Sequence, residues 1–261
     1  MQPEIEIGPI TLQTFGMMFA LAFIAAGALV GKRLQELGKP PDWAYELIFA
    51  ALIGGVVGAR LDFIIENWSE VEQDLFSNVF SGSGLVWYGG AIGGALGAMA
   101  WARWRGMLDW GLADLTAPGL AVGYAVGRIG CQLSGDGDYG VAWDGPWAMS
   151  YPDGTVPTTE EVHPTPVYET IAMGAVGAWL WRMRDAFNQG GLFGFYLILA
   201  GIERFLIEFI RRNDDAFAGL TLAQLLSVGM VAAGAAMLWW VTQRNGRLRR
   251  TAGEPQSAQG S

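Results

Sequence analysis

One cysteine, one histidine and two lysines are all that this chain holds of those three residue types. Cys131 has no partner within the chain, which excludes an intrachain disulfide scaffold. Charge is scarce as well: Asp, Glu, Lys and Arg make up 16% of the 261 residues, against ~25% in an average globular protein. Within that small set the acids lead, 25 against 16 bases, for a formal net charge of −9. Such a balance offers no basic face to neutralise phosphodiester backbones and argues against a nucleic-acid binder. What the chain has in quantity is apolar surface, with 52% hydrophobic residues and a mean hydropathy of +0.29. A disordered chain is poor in these residues, so disorder is excluded too.

The apolar residues fall into long runs. A helix needs ~20 mostly apolar residues to cross the hydrocarbon core. Seven runs are candidates: Thr11–Val30, Ala44–Ile65, Leu85–Trp101, Leu112–Leu133, Val167–Trp181, Leu192–Ile210 and Leu220–Val241. The first does not read as a cleavable signal, because Glu4 and Glu6 precede it without a base. The expected fold is all-α, a polytopic integral membrane protein of seven transmembrane helices. Residues 1–242 form the transmembrane domain, with an extracytoplasmic loop or cap around 134–166. Residues 243–261 form a basic, then polar tail that is expected to be disordered. Connections rich in bases face the cytoplasm. Lys32, Arg33, Lys39, Arg103, Arg105, Arg182, Arg184, Arg244, Arg247, Arg249 and Arg250 lie on one side, and Arg211 and Arg212 on the other. The amino terminus is therefore expected outside and the carboxyl terminus in the cytoplasm.

Glycines cluster inside the runs at four-residue spacing, as at Gly54 and Gly58 and at Gly89, Gly93 and Gly97. Small residues so spaced let helices approach closely. The GxGxxG pattern at 135–140 is no dinucleotide site, since no strand precedes it and two carboxylates would repel a pyrophosphate. The informative residues are ionisable groups within or beside the apolar runs: Arg60, Arg128, Glu169, Glu203, Arg204 and Glu208. Each costs ~2.5–3.5 kcal/mol facing lipid at mid-membrane and is expected to face the interior. Arg204 and Glu208, four apart, can pair on one helix face. Three arginines exceed what such pairing needs. A guanidinium is a planar fork suited to phosphate, so a phospholipid headgroup is the natural ligand. Lone His163, before a proline, reads as a loop residue or the sole candidate for a histidine base. Cys131 reads as a buried inert thiol or a nucleophile.

Four stretches then fall in one family's order. Gly127-Arg128-Ile129-Gly130-Cys131-Gln132-Leu133-Ser134-Gly135-Asp136 resembles the signature of bacterial prolipoprotein diacylglyceryl transferases, Gly-Arg-x-Gly-Asn-Phe-x-Asn-Gly-Glu. The segment Trp87-Tyr88-Gly89-Gly90-Ala91-Ile92-Gly93 resembles that family's His-Gly-Gly-Leu-Ile-Gly. His163-Pro164-Thr165-Pro166-Val167-Tyr168-Glu169 is similar to its His-Pro-Ser-Gln-Leu-Tyr-Glu, and Arg204-Phe205-Leu206-Ile207-Glu208-Phe209-Ile210-Arg211 to its Arg-Phe-x-x-Glu-Phe-x-Arg. The departures are Tyr88 for a histidine, Cys131 and Ser134 for asparagines, Asp136 for a glutamate with one extra residue after it, and Phe15 for a tyrosine.

The resemblance implies transfer of the diacylglyceryl group of phosphatidylglycerol to the lipobox cysteine of a preprolipoprotein. It also implies a site toward the extracytoplasmic face of the cell's inner membrane, and no cofactor or metal. On this reading Arg128 and Arg204 bind the phosphate and stabilise the leaving oxyanion, with Arg60 as a further candidate. Asp136 or Tyr88 takes the thiol proton. Glu169 and Glu208 orient the arginines, and Gly89, Gly90, Ser134 and Tyr168 shape the lipid cavity. The alternatives are a related transferase with another acceptor or donor lipid, and a non-catalytic phospholipid-binding or transport bundle.

Overall fold

A computed structural model describes residues 1–8, 10–71, 87–214 and 216–250. The start of the third apolar run at Leu85 and the last part of the tail, 251–261, lie outside the described residues. Helices lie over the apolar runs: α1 (Thr14–Glu36), α2 (Trp43–Glu66), the short α3 (Trp68–Val71), α4 (Trp87–Arg105), α5 (Trp110–Ser134), α6 (Thr165–Arg182), α7 (Gly191–Ile207) and α8 (Leu222–Asn245). A 3-10 turn, Glu208–Ile210, follows α7. The molecule is mostly helical, as expected, and α1, α2 and α8 are each long and apolar enough to cross a membrane.

Two small β-hairpins are added to the all-α expectation. β1 (Glu4–Ile7) pairs antiparallel with β2 (Ile10–Gln13), from Glu4 opposite Gln13 to Ile7 opposite Ile10. The alternation Glu-Ile-Glu-Ile suits a strand, so α1 begins at Thr14 and not at Thr11. β3 (Met149–Tyr151) pairs with β4 (Thr158–Val162) inside the 134–166 segment.

Helix ends follow capping chemistry, which is why they overrun the apolar runs. After α1, Gly38 takes φ +70°, its N–H donates to Gln35 O and that of Lys39 to Leu34 O. Gly106 ends α4 the same way. These are Schellman closures, where glycine tolerates the left-handed backbone. Thr221 and Gln224 form a reciprocal capping box that starts α8. Asp114 of α5 caps α7 from outside, its carboxylate accepting from Gly190 N and Phe193 N at 2.8 Å each.

The chain divides into two compact units, Val30–Leu112 and Met1–Leu29 with Ala113–Ser261. In the first, α2 and α4 pack through glycines. A Cβ on Gly93 would lie 2.8 Å from the Gly58 Cα, and one on Gly97 3.3 Å from the Gly54 Cα. Acids pin both ends of this contact. Asp62 accepts from Gly89 N at 2.8 Å, while Glu46 accepts from Trp101 Nε1 at 2.9 Å and from Arg105 Nε at 2.8 Å.

In the second unit, Ala117, Ala121 and Ala125 make a small-residue face on α5. It packs on Met173 and Leu180 of α6 and on Leu192 and Ala200 of α7. Glycines again seat α7 on α8, where a Cβ on Gly201 would lie 2.9 Å from Ser227 O. The 135–164 segment has its own core of Tyr139, Tyr151 and Val162, with the two tyrosine rings stacked at 4.9 Å. Val141 N donates to Ile210 O and Arg212 Nε to Gly140 O, fastening this segment to the end of α7. At the other end of the helix, residues 246–250 return to the α6–α7 connection. Asn188 N donates to Leu248 O, Asn188 Nδ2 to Arg247 O and Arg250 N to Ala186 O.

Large apolar side chains cover much of the outer surface, among them Ile24, Ile53, Ile65, Ile92, Leu206 and Trp239. In α2 just 11% of the most apolar window is buried within the chain. Apolar surface that extensive is matched by hydrocarbon and not by water.

Candidate active site

α5 places Tyr124 and Arg128 one turn apart, and α6 opposes them with Glu169, which is fully buried. Arg128 Nε pairs with Glu169 and Arg128 Nη1 with Asp138, in the loop after α5. Arg211, just past the 3-10 turn, closes the figure: Nη2 pairs with Asp138 and Nη1 with Glu169 Oε1 at 3.2 Å. Two guanidiniums and two carboxylates thus alternate around a ring. Tyr124 Oη donates to Glu169 Oε2 at 2.7 Å, and the Tyr124 ring lies 5.0 Å beneath the Arg128 guanidinium. Pairing of this kind lets charges persist in an apolar bundle, where an unpaired ion would cost several kcal/mol.

A second cluster adjoins it. Arg204 Nη2 meets Glu208 Oε2 at 2.9 Å, while Glu208 Oε1 accepts from Asn213 Nδ2 at 2.6 Å and Thr221 Oγ1 at 2.8 Å. Arg211 Nε lies 4.0 Å from Glu208 Oε2 and joins the two clusters. Three buried side-chain atoms lack a hydrogen-bond partner among the described residues: Glu203 Oε1 and Arg204 Nη1, on consecutive residues, and Glu208 Oε2, which still meets Arg204 Nη2 as an ion pair. Glu203 also lines a cleft of about 310 Å³ with Tyr168 and Ala172 of α6 and Leu199, Ile202, Leu206 and Ile207 of α7.

Outside the helices, electrostatics favour the charged states of Asp138 and Arg211. Burial pushes the Asp138 carboxyl up, but Arg128 and Arg211 more than offset it and hold it below the usual carboxylate range. Burial disfavours the Arg211 cation, and Asp138 outweighs that, so Arg211 stays firmly protonated. Burial pushes the Tyr151 phenol up to about 12, so its hydroxyl, donating to Gln132 Oε1 at 2.9 Å, stays a donor.

An aromatic group borders the cleft. Trp143 stacks on His163 at 4.4 Å, His163 Nδ1 lies 3.2 Å from Tyr168 Oη, and Trp147 Nε1 donates to the same hydroxyl at 2.7 Å. Cys131 is buried, with Arg128 Nη1 3.7 Å from its sulfur. Ligand atoms of Cys131, Asp136 and Asp138 lie within 4.8 Å of one another, but both Asp138 oxygens already accept from guanidiniums.

Comparison with known proteins decides the family. Residues 3–240 match the model of the prolipoprotein diacylglyceryl transferase family. A phosphatidylglycerol–prolipoprotein diacylglyceryl transferase of Chromohalobacter salexigens is 33% identical over 247 residues, 90% of each chain. Its namesake in Methylococcus capsulatus is 32% identical over 248 residues, covering 90% of this chain and 92% of its own. A second such transferase of Clostridium perfringens is 32% identical over 250 residues, 93% and 95% of the two chains. The chain belongs to the prolipoprotein diacylglyceryl transferase family.

Of the site residues expected from this transferase family's motifs, the structure brings Arg128 and Glu169 into one ring and joins Arg204 and Glu208 beside it. Tyr168 lines the cleft. Asp136 instead braces the loop, accepting from Asp138 N at 3.2 Å. Ser134 is buried, donates to Cys131 O and accepts at its carbonyl from Thr155 N. Arg60, Tyr88, Gly89 and Gly90 belong to the other unit, where α2 meets α4. There Arg60 is buried beside the Phe63 ring and Tyr88 is exposed. Two ring members, Asp138 and Arg211, and the adjoining Tyr124 were not expected. Asp138 lies two positions beyond the signature, in a loop of several acids. Arg211 ends a family-like stretch but also counts as a loop base, and Tyr124 reads as one more member of an apolar run.

Proposed function

We propose that this protein transfers the diacylglyceryl group of phosphatidylglycerol to the lipobox cysteine thiol of a preprolipoprotein, the first step of lipoprotein maturation. The observation that carries the reading is a buried guanidinium nitrogen, Arg204 Nη1, without an acceptor, beside the ring that holds Arg128 and Arg211. An unmade buried hydrogen bond costs about 1–3 kcal/mol, and a phosphate oxygen satisfies it. The three arginines are balanced by Asp138, Glu169 and Glu208. Asp138 is the most exposed of these acids, at 31% against 0% for the other two, and is the one an incoming phosphodiester displaces.

In the reaction, the thiol loses its proton and the thiolate attacks the glyceryl carbon that bears the phosphate. A C–S bond forms and the C–O bond breaks. Its electron pair leaves on the oxygen of glycerol phosphate, where Arg128 and Arg204 stabilise the new charge. Glu169 and Glu208 hold those guanidiniums in place, and the apolar cleft beside Tyr168 takes acyl chain.

The chain spans the inner membrane seven times in this proposal, amino terminus outside, carboxyl terminus in the cytoplasm and site toward the outer face. Support comes from helices over the seven apolar runs and from the one-sided distribution of bases. The test uses purified protein, phosphatidylglycerol vesicles and a lipobox peptide, with mass spectrometry for the thioether product. Arg128→Gln and Arg204→Gln are each expected to lower turnover by at least about 100-fold. Full turnover in both variants would overturn the phosphate assignment.

A further inference from the structure

Resting on the transferase reading, we propose that Glu203 is the base that takes the proton from the acceptor thiol. A buried acceptor, Glu203 Oε1, and a buried donor, Arg204 Nη1, stand open on consecutive residues of α7 and do not satisfy each other. The substrate pair of this reaction supplies their complements: the S–H of the peptide cysteine donates, and a phosphate oxygen of the lipid accepts. Glu203 is also the one charged group among the residues that line the α6–α7 cleft. Its walls of Leu199, Ile202, Leu206 and Ile207 are apolar and suit acyl chain.

The other acids of the site are already engaged. Glu169 accepts from Tyr124 and pairs with two arginines, Asp138 bridges the same two, and Glu208 accepts from Asn213 and Thr221 at Oε1 and is held by the Arg204 guanidinium at Oε2. Asp136 accepts from the backbone of its own loop. Tyr88, the other proton acceptor expected from the sequence, belongs to the unit Val30–Leu112 and not to the one that holds Glu203 and Arg204. The charged and titratable groups around Glu203 include Tyr124 and Arg128 of α5, Glu169 of α6, Tyr168 of α6 across the same cleft, Arg204 beside it and Arg211 past the helix end. α8, packed on α7, carries one ionisable residue, Arg244 in its last turn.

The step balances. The carboxylate of Glu203 gains the proton as the thiolate forms the C–S bond. The bonding pair of the broken C–O bond leaves on glycerol phosphate, which then takes the proton from Glu203 and restores the carboxylate.

The test is the pH–rate profile of thioether formation by the wild-type chain, Glu203→Gln and Glu203→Asp, in phosphatidylglycerol vesicles with a lipobox peptide. The base must be deprotonated to act, so the wild-type rate should rise with pH along an acid limb. E203Q should lose about 100-fold or more in kcat near neutral pH, with little change in lipid KM. It should recover as pH rises past ~8.5, where the free thiol ionises unaided. E203D should keep more rate than E203Q. A merely structural role would not give recovery by pH. A wild-type profile without an acid limb, or an E203Q profile matching the wild type, overturns the proposal and leaves the transferase reading standing. Absence of product from the wild-type chain counts against the transferase reading itself.

Discussion

At the scale of residues, the ring of Arg128, Asp138, Arg211 and Glu169 joins charges from two helices and two loops. Its loop acid is the part open to direct titration. Asp138 is held below the usual carboxylate range, so folding favours its charged form. That contribution is complete above about pH 5 and is lost as pH falls below the ordinary carboxylate value of ~3.9 toward the lower folded one. Asp138→Asn should therefore melt at a lower temperature near neutral pH, by an amount equivalent to about 1.5–3 kcal/mol. The gap between variant and wild type should narrow as pH drops below ~4. Melting curves in detergent across that range check it. A constant gap would mean that Asp138 stabilises through something other than its charge. The arginines and Glu169 stand out in the sequence because a charge inside an apolar run is costly. Asp138 does not, since loop acids are common, and which of two acids spaced by one glycine meets the guanidiniums is set by backbone turns at Gly135 and Gly137.

At the scale of elements, glycine decides which helices approach closely. Gly93 has no room for a Cβ against Gly58, whereas Gly229 of α8 faces open space. Gly93→Ala should cost about 1–3 kcal/mol through overpacking and forced separation of α2 from α4. Gly229→Ala, at a helical position without a neighbour, should be neutral or gain up to about 1 kcal/mol from propensity. Thermal melting of the two variants side by side distinguishes packing from propensity, and equal effects would refute the close-packing account. The helices over the apolar runs were legible in the sequence, because ~20 apolar residues in succession leave few alternatives. Their ends were not, because Gly38 and Gly106 stop α1 and α4 by local hydrogen bonds that hydropathy does not register. The hairpins were missed for a related reason: strands of three to five residues fall below the length at which a pattern stands out.

At the scale of the whole molecule, apolar side chains turned outward and a lopsided distribution of bases bear on how the chain lies in a bilayer. With cysteines placed one at a time in a Cys131→Ala background, impermeant maleimide applied to intact cells should label position 160 and leave position 247 unlabelled until the membrane is opened. The reverse pattern would invert the proposed orientation. The contacts of residues 246–250 with the α6–α7 connection bear on handling the protein. Asn188, steadied by the backbone of Arg247 and Leu248, stands two residues before the turn whose N–H groups Asp114 receives. Clipping after Asn245 would thus slacken the root of the same rod that bears Arg204 near its tip. A purification handle or reporter grafted beyond Arg250 keeps that anchorage, whereas one replacing the stretch trades it for a wobbling lever.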